Sequence, residues 1–76
     1  MPVYMGIMCE VCRKVYFVAT SRAIKPSRTV ENTYVLACPP PCREVRSFRK
    51  ETLRPYRASD EAFQRGYAEE GKYELV

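Results

Sequence analysis

Four of the 76 residues are cysteines, and they form two short-spaced pairs, Cys9-x-x-Cys12 and Cys38-x-x-x-Cys42, separated by 25 residues. A tight turn between two strands points both sulfurs of a pair to one side, and two such turns facing each other surround one ion. Four thiolates at about 2.3 Å complete the coordination of zinc and leave no open position for water or substrate, so the chemistry expected is structural. Iron is accepted by the same ligand type. Histidine is absent, which removes imidazole bases, Ser-His and Cys-His nucleophile pairs and every imidazole metal ligand. Disulfides, buried free thiols and a redox pair are the other uses of such cysteines. A redox Cys-x-x-Cys wants a helix N-terminus behind it, whereas Cys12 leads into the strand-like run Val15-Tyr16-Phe17-Val18-Ala19. The expectation is one zinc per chain on Cys9, Cys12, Cys38 and Cys42, no catalytic residue and no enzyme activity.

The elements around the cysteines must be few. A chain of this length buries only about 60 to 65% of its unfolded surface, and chains below roughly 70 to 80 residues usually need a disulfide, metal or partner as a staple. Tyr4, Met5, Ile7 and Met8 precede Cys9, and Tyr34-Val35-Leu36-Ala37 precede Cys38, both with strand character. Residues 20–32 are mostly polar and predict a loop. Arg43 to Leu53 reads as strand or helix; the strand is favoured, because Pro55 biases Arg54 towards an extended conformation. Ser59 followed by Asp60 and Glu61 predicts a capped helix start, with Phe63 and Tyr67 one turn apart and Gly71 as its stop, so the helix is expected to run to Glu70. Lys72 to Val76 alternates like an edge strand. Val15, Phe17, Tyr34, Leu36, Phe48, Phe63 and Tyr67 are expected to form a core around the metal. The organisation predicted is a β domain over 1–58, with the helix and tail of 59–76 packed on it.

The two cysteine pairs resemble those of the zinc-ribbon group, in which knuckles at the tips of two β-hairpins share one zinc. The resemblance spans roughly Tyr4 to Phe48 and implies Cys9, Cys12, Cys38 and Cys42 as the ligands. It implies a small metal-stapled β-rich domain. Two features differ from the ribbon pattern: Arg13 and Arg43 stand where glycine is usual after the second cysteine, and Pro39-Pro40-Pro41 lengthen the second turn. Prolines have no N–H for a thiolate, so the amides of Cys42 and Arg43 or arginine side chains are expected to offset sulfur charge there. A treble clef, with a helix after Cys42, is the alternative fold and keeps the same ligands.

Charge is segregated along the chain. Residues 43–57 carry six Lys/Arg against two Glu, and residues 58–76 carry two against five acids, within a net charge of +4. Arg46, Arg49, Arg54 and Arg57 are the candidate phosphate contacts, with Phe48 or Tyr56 available for base stacking where exposed. The acidic helix is a candidate to cover this stripe from within the chain. The function expected is a structural zinc-binding module presenting a basic surface to nucleic acid. The alternative is a protein-interaction adaptor with no nucleic-acid role. Met1 to Cys9 has no basic leader and is too short to span a membrane, so the expectation is a cytoplasmic protein with no membrane partner and no small-molecule substrate.

Overall fold

The computed structural model describes residues 2–76. Strand β1 (Val3–Met8) returns as β2 (Val15–Phe17), with Met8 opposite Val15 and Gly6 opposite Phe17. Strands β3 (Ile24–Pro26), β4 (Thr33–Ala37) and β5 (Val45–Arg49) follow, all antiparallel, with Leu36 opposite Ile24 and Arg46. A 3-10 turn over Lys50–Thr52 leads to β6 (Arg54–Ala58), α1 (Asp60–Arg65), β7 (Tyr67–Ala68) and β8 (Tyr73–Leu75). The strands make a five-stranded sheet in the order β7-β2-β1-β6-β8 and a three-stranded sheet in the order β3-β4-β5. The C-terminal segment thus supplies β7 and β8 as the outer strands of the sheet that β1, β2 and β6 build.

Two expectations about the elements change. The expected loop of 20–32 contains β3, because Ile24 is 8% exposed and pairs with Leu36, a non-local contact that local composition does not reveal. The helix ends five residues early. Its start is as predicted: Ser59 caps it by accepting from the Ala62 N–H at 3.1 Å. Its end is Gly66, at φ 99°, whose N–H donates to the carbonyls of Ala62 and Phe63. A Cβ at Gly66 would also lie 2.9 Å from the Ser21 Cα. Gly66 is therefore the stop that permits both the left-handed turn and the close chain crossing, and Tyr67 leaves the helix to pair with Tyr16. The strand favoured after Cys42 is present as β5, and no helix starts directly after Cys42, where a treble clef would place one.

Strand alternation divides the core in two. Val15, Phe17, Tyr56, Ala58, Ala62 and Ala68 pack under α1, joined by Phe63, which stacks on Tyr4 with ring centroids 3.9 Å apart. Tyr16 turns to the opposite side and joins Ile7, Ile24, Leu36, Phe48, Cys9 and Cys38. The expected single core around the metal is therefore two cores. Leu36 and Phe48 flank the cysteines, Tyr34 and Tyr67 pack partly buried against that cluster, and Val15, Phe17 and Phe63 serve the other core. Each fully buried large apolar side chain contributes about 1.5 to 3 kcal/mol, so both cores matter in a chain this small.

Candidate metal centre

Cys9 directly follows β1 and Cys12 lies three residues before β2; Cys38 directly follows β4 and Cys42 lies three residues before β5. The cysteine pairs therefore occupy the tips of two hairpins, one in each sheet. Their four sulfurs lie within 4.8 Å of one another, and the Cys9 and Cys42 Sγ atoms are 3.8 Å apart. Sulfurs about 2.3 Å from a tetrahedral ion are about 3.8 Å from each other. The cluster needs to contract by at most about 1 Å to close on zinc, and all four thiols are free.

Each turn is built by the backbone. The Cys9 N–H donates to the Lys14 carbonyl at 2.9 Å and the Arg13 N–H returns to the Cys9 carbonyl at 2.8 Å. In the longer turn, the Cys38 N–H reaches one residue further along, to the Glu44 carbonyl at 2.9 Å, and the Arg43 N–H donates to the Pro39 carbonyl at 3.4 Å. Arg13 and Arg43 adopt φ of 63° and 56°. Both turns thus take the left-handed conformation for which glycine is usual, at a cost of about 1 to 2 kcal/mol per non-glycine residue.

The protein environment treats the sulfurs unequally. Burial pushes the Cys9 thiol up, but the backbone N–H groups of Cys12 and Val11, with the neighbouring Cys38 and Cys12 thiols, outweigh it and bring it to about 7. Burial and then the adjacent Cys9 push Cys38 up to about 12. At Cys42 the Glu44 backbone N–H favours the thiolate, while burial and the Cys9 and Cys12 sulfurs overcome it and raise the thiol. The amide that serves the proline-filled turn is thus that of Glu44, beyond the expected Cys42 and Arg43. Beside the cluster, Tyr16 is 2% exposed and its hydroxyl has no hydrogen-bond partner among the described residues. Burial, followed by the Cys38 and Cys12 thiols, disfavours its ionisation. A buried O–H donor beside electron-rich sulfurs fits a thiolate-bound metal, because the thiolate supplies the acceptor that the hydroxyl lacks. Sequence reasoning missed Tyr16; its signal was parity, two residues on from Lys14 and four from Cys12 along an alternating strand.

The candidate nucleic-acid residues are divided between sheets. Arg46, Phe48 and Arg49 lie on β5, whereas Arg54, Tyr56 and Arg57 lie on β6. Phe48 and Tyr56 are each 6% exposed and belong to different cores, so neither offers a ring for stacking. Phe48 was drawn inward by pairing opposite Tyr34, and Tyr56 by facing Ala58 and Tyr73. Arg46 lies 3.9 Å from Glu10, and Arg57 pairs in register with Glu74. The acidic helix does not cover the stripe through Asp60, which accepts from the Tyr4 hydroxyl at 2.6 Å.

No protein-family model matches the chain, and comparisons with curated proteins and with solved structures found no match. No helix among the described residues is long and apolar enough to cross a membrane.

Proposed function

We propose that this chain is a ribbon-type structural zinc module whose cationic surface binds nucleic acid. The observation that carries the reading is the meeting of four sulfurs from two hairpin tips in different sheets. Zinc there joins the sheets and, with four thiolate ligands, keeps no position for substrate, so the module binds and does not catalyse. Arg13 and Arg43 follow the second ligand of each pair and place cations beside a centre whose four thiolates and zinc sum to −2. A chain of +4 with one ion pair among its described residues keeps cations for phosphate.

Native mass spectrometry with thiol counting tests the metal: one zinc and four reduced thiols are expected, and a metal-free chain or two disulfides would overturn it. Binding of short RNA and DNA across a salt series tests the partner, with affinity falling as salt rises. The adaptor alternative draws on β8, an edge strand that ends in exposed Leu75 and is followed by exposed Val76. It takes precedence if no oligonucleotide binds at low salt.

A further inference from the structure

A second cationic surface lies away from the β5 and β6 arginines. Ile24 of β3 turns into the core, so Lys25 turns outward, beside Val35 of β4. Two hollows of about 350 and 470 Å³ adjoin along this side, sharing Arg22, Ala23 and Ala37. The first is walled by Tyr16, Tyr67 and Pro39, with Arg22 and Arg65 beside them. The second continues past Lys25 and Arg28. No carboxylate lines either one. Arg65 is held in place by its Nε, which donates to the Tyr67 carbonyl at 3.2 Å, and by its guanidinium 4.6 Å over the Tyr67 ring. Glu61 and Glu69 border Arg65 on its far side, which makes it the weakest of the four cations. Arg22, Lys25 and Arg28 are exposed and form no ion pair within the described residues.

We propose that this trough binds a single-stranded nucleic acid, with phosphates along Arg22, Lys25, Arg28 and Arg65 and a base in the hollow lined by Ala23, Pro39 and Tyr67, beside the Arg65 guanidinium that already covers the Tyr67 ring. The proposal rests on the nucleic-acid reading above and gives that reading its location. Arginine forks and lysine ammonium groups match phosphate oxygens. An apolar hollow with aromatic walls takes an unstacked base, which a duplex does not present. The size of each hollow falls in the range of pockets that enclose small ligand groups. Pro39 belongs to the second cysteine turn and Tyr16 packs on the sulfur cluster, so the metal centre shapes the wall that the base meets.

The test uses the zinc-loaded full chain with fluorescent ten-nucleotide oligo-uridine and oligo-thymidine at low salt. Arg22→Glu with Arg28→Glu is compared with Arg54→Glu with Arg57→Glu, an identical change in net charge at exposed sites of the other sheet. Zinc content and circular dichroism confirm that each variant is folded. The trough pair should weaken binding at least about tenfold and the comparison pair less than about threefold. The wild-type log–log salt slope should be about −2 to −3 for four phosphate contacts to a single strand. Equal losses in the two pairs, or a larger loss in the comparison pair, would overturn the trough and leave the nucleic-acid reading standing. Duplex binding as tight as single-strand binding would overturn the base-accepting hollow. Absence of wild-type binding to either oligonucleotide would sink both readings together.

Discussion

The Cys9–Cys12 turn hangs from β1, the central strand of the five-stranded sheet, and a distant element grips it: the Tyr73 hydroxyl of β8 donates to the Arg13 carbonyl at 2.7 Å. The Cys38–Cys42 turn joins β4 to β5, an edge strand, and its backbone hydrogen bonds stay within its own hairpin. The sulfurs differ in the same sense, with Cys9 near 7 and Cys38 near 12. If zinc binds as proposed, the first turn would be held by the fold beforehand, and the second would gain from the ion the cross-link that no distant element supplies. A small chain can leave half of a metal site weakly supported when the ion itself supplies the missing cross-link.

Removing the ligand from the weaker turn should have the largest effect. Structural zinc contributes about 10 to 16 kcal/mol of apparent binding free energy in peptide models, at or above the net stability of ordinary domains. Cys38→Ser should remove the cooperative transition at the zinc-loaded midpoint and leave at most the much weaker transition of the metal-free chain; a transition persisting near the zinc-loaded midpoint would argue against a structural site. Chelation of the wild-type chain should collapse amide protection in β3, β4 and β5 before that in β1, β2 and β6, as hydrogen exchange followed by NMR reads directly. Uniform loss across both sheets would erase the distinction between the turns.

Acid should act next. Metal binding needs thiolates, so protons compete with it and affinity falls as pH falls. In the metal-free chain Cys38, at about 12, and Cys42, raised above the ordinary thiol value, hold their protons throughout the neutral range, and each contributes about tenfold per pH unit. Cys9, at about 7, adds a further proton only below that value. A cobalt or zinc competition titration between pH 6 and 8.5 should therefore steepen below about pH 7. A slope that stays constant across that value would contradict the unequal preparation of the two sulfurs.

Tyr16→Phe removes the orphaned hydroxyl and keeps the packed ring. Loss of an outer-shell partner costs about 10- to 100-fold in metal affinity, and the variant should bind zinc more weakly by that amount. Its metal-free thermal transition should stay at or above the wild-type value, because an unsatisfied buried hydroxyl is no longer carried. Unchanged zinc affinity would mean that the hydroxyl does not serve the sulfurs.

The cysteine spacing carried the cluster, because four thiols at hairpin tips are specified by local turns and residue type alone. Strand character around Val15 and Leu36, the Ser59 cap and the terminal edge strand were legible for the same reason. What the sequence hid is non-local. β3 exists because Ile24 finds Leu36, and Gly66 ends the helix because Ser21 crosses beneath it. Phe48 and Tyr56 read as candidate stacking rings from their basic neighbours, but burial of alternate strand positions placed them inside. The trough was hidden most completely, since Arg22 and Arg65, far apart in sequence, line one hollow only because the three-stranded sheet packs beside Tyr67.

The Tyr73 clamp gives a smaller effect confined to the first turn. Tyr73→Phe deletes the hydroxyl's contacts with the Arg13 carbonyl and the Met8 sulfur and should lower stability by about 1 kcal/mol, with amide protection lost at Arg13 and Lys14 and retained at Arg43 and Glu44. Equal loss at both turns, measured by hydrogen exchange, would show that the clamp does not distinguish them.

The finest discrimination comes from the two left-handed arginines. Replacing either by glycine relieves about 1 to 2 kcal/mol of backbone strain and costs about 0.5 to 1 kcal/mol in lost chain entropy on folding. The net gain for the metal-free chain should be about 0.5 to 1 kcal/mol. Arg43→Gly should realise that gain in full, whereas Arg13→Gly should gain less, because Tyr73 already holds the first turn in place. Zinc reverses part of it. The loaded centre carries −2, so deleting an adjacent cation weakens metal binding, and Arg43→Lys, which keeps both the charge and the strain, should bind zinc as the wild type does. Thermal unfolding of the four chains with and without zinc separates strain from charge. If Arg43→Gly stabilises loaded and metal-free protein equally, the arginine has no electrostatic role, and the absence of glycine from both turns has no explanation in the metal centre.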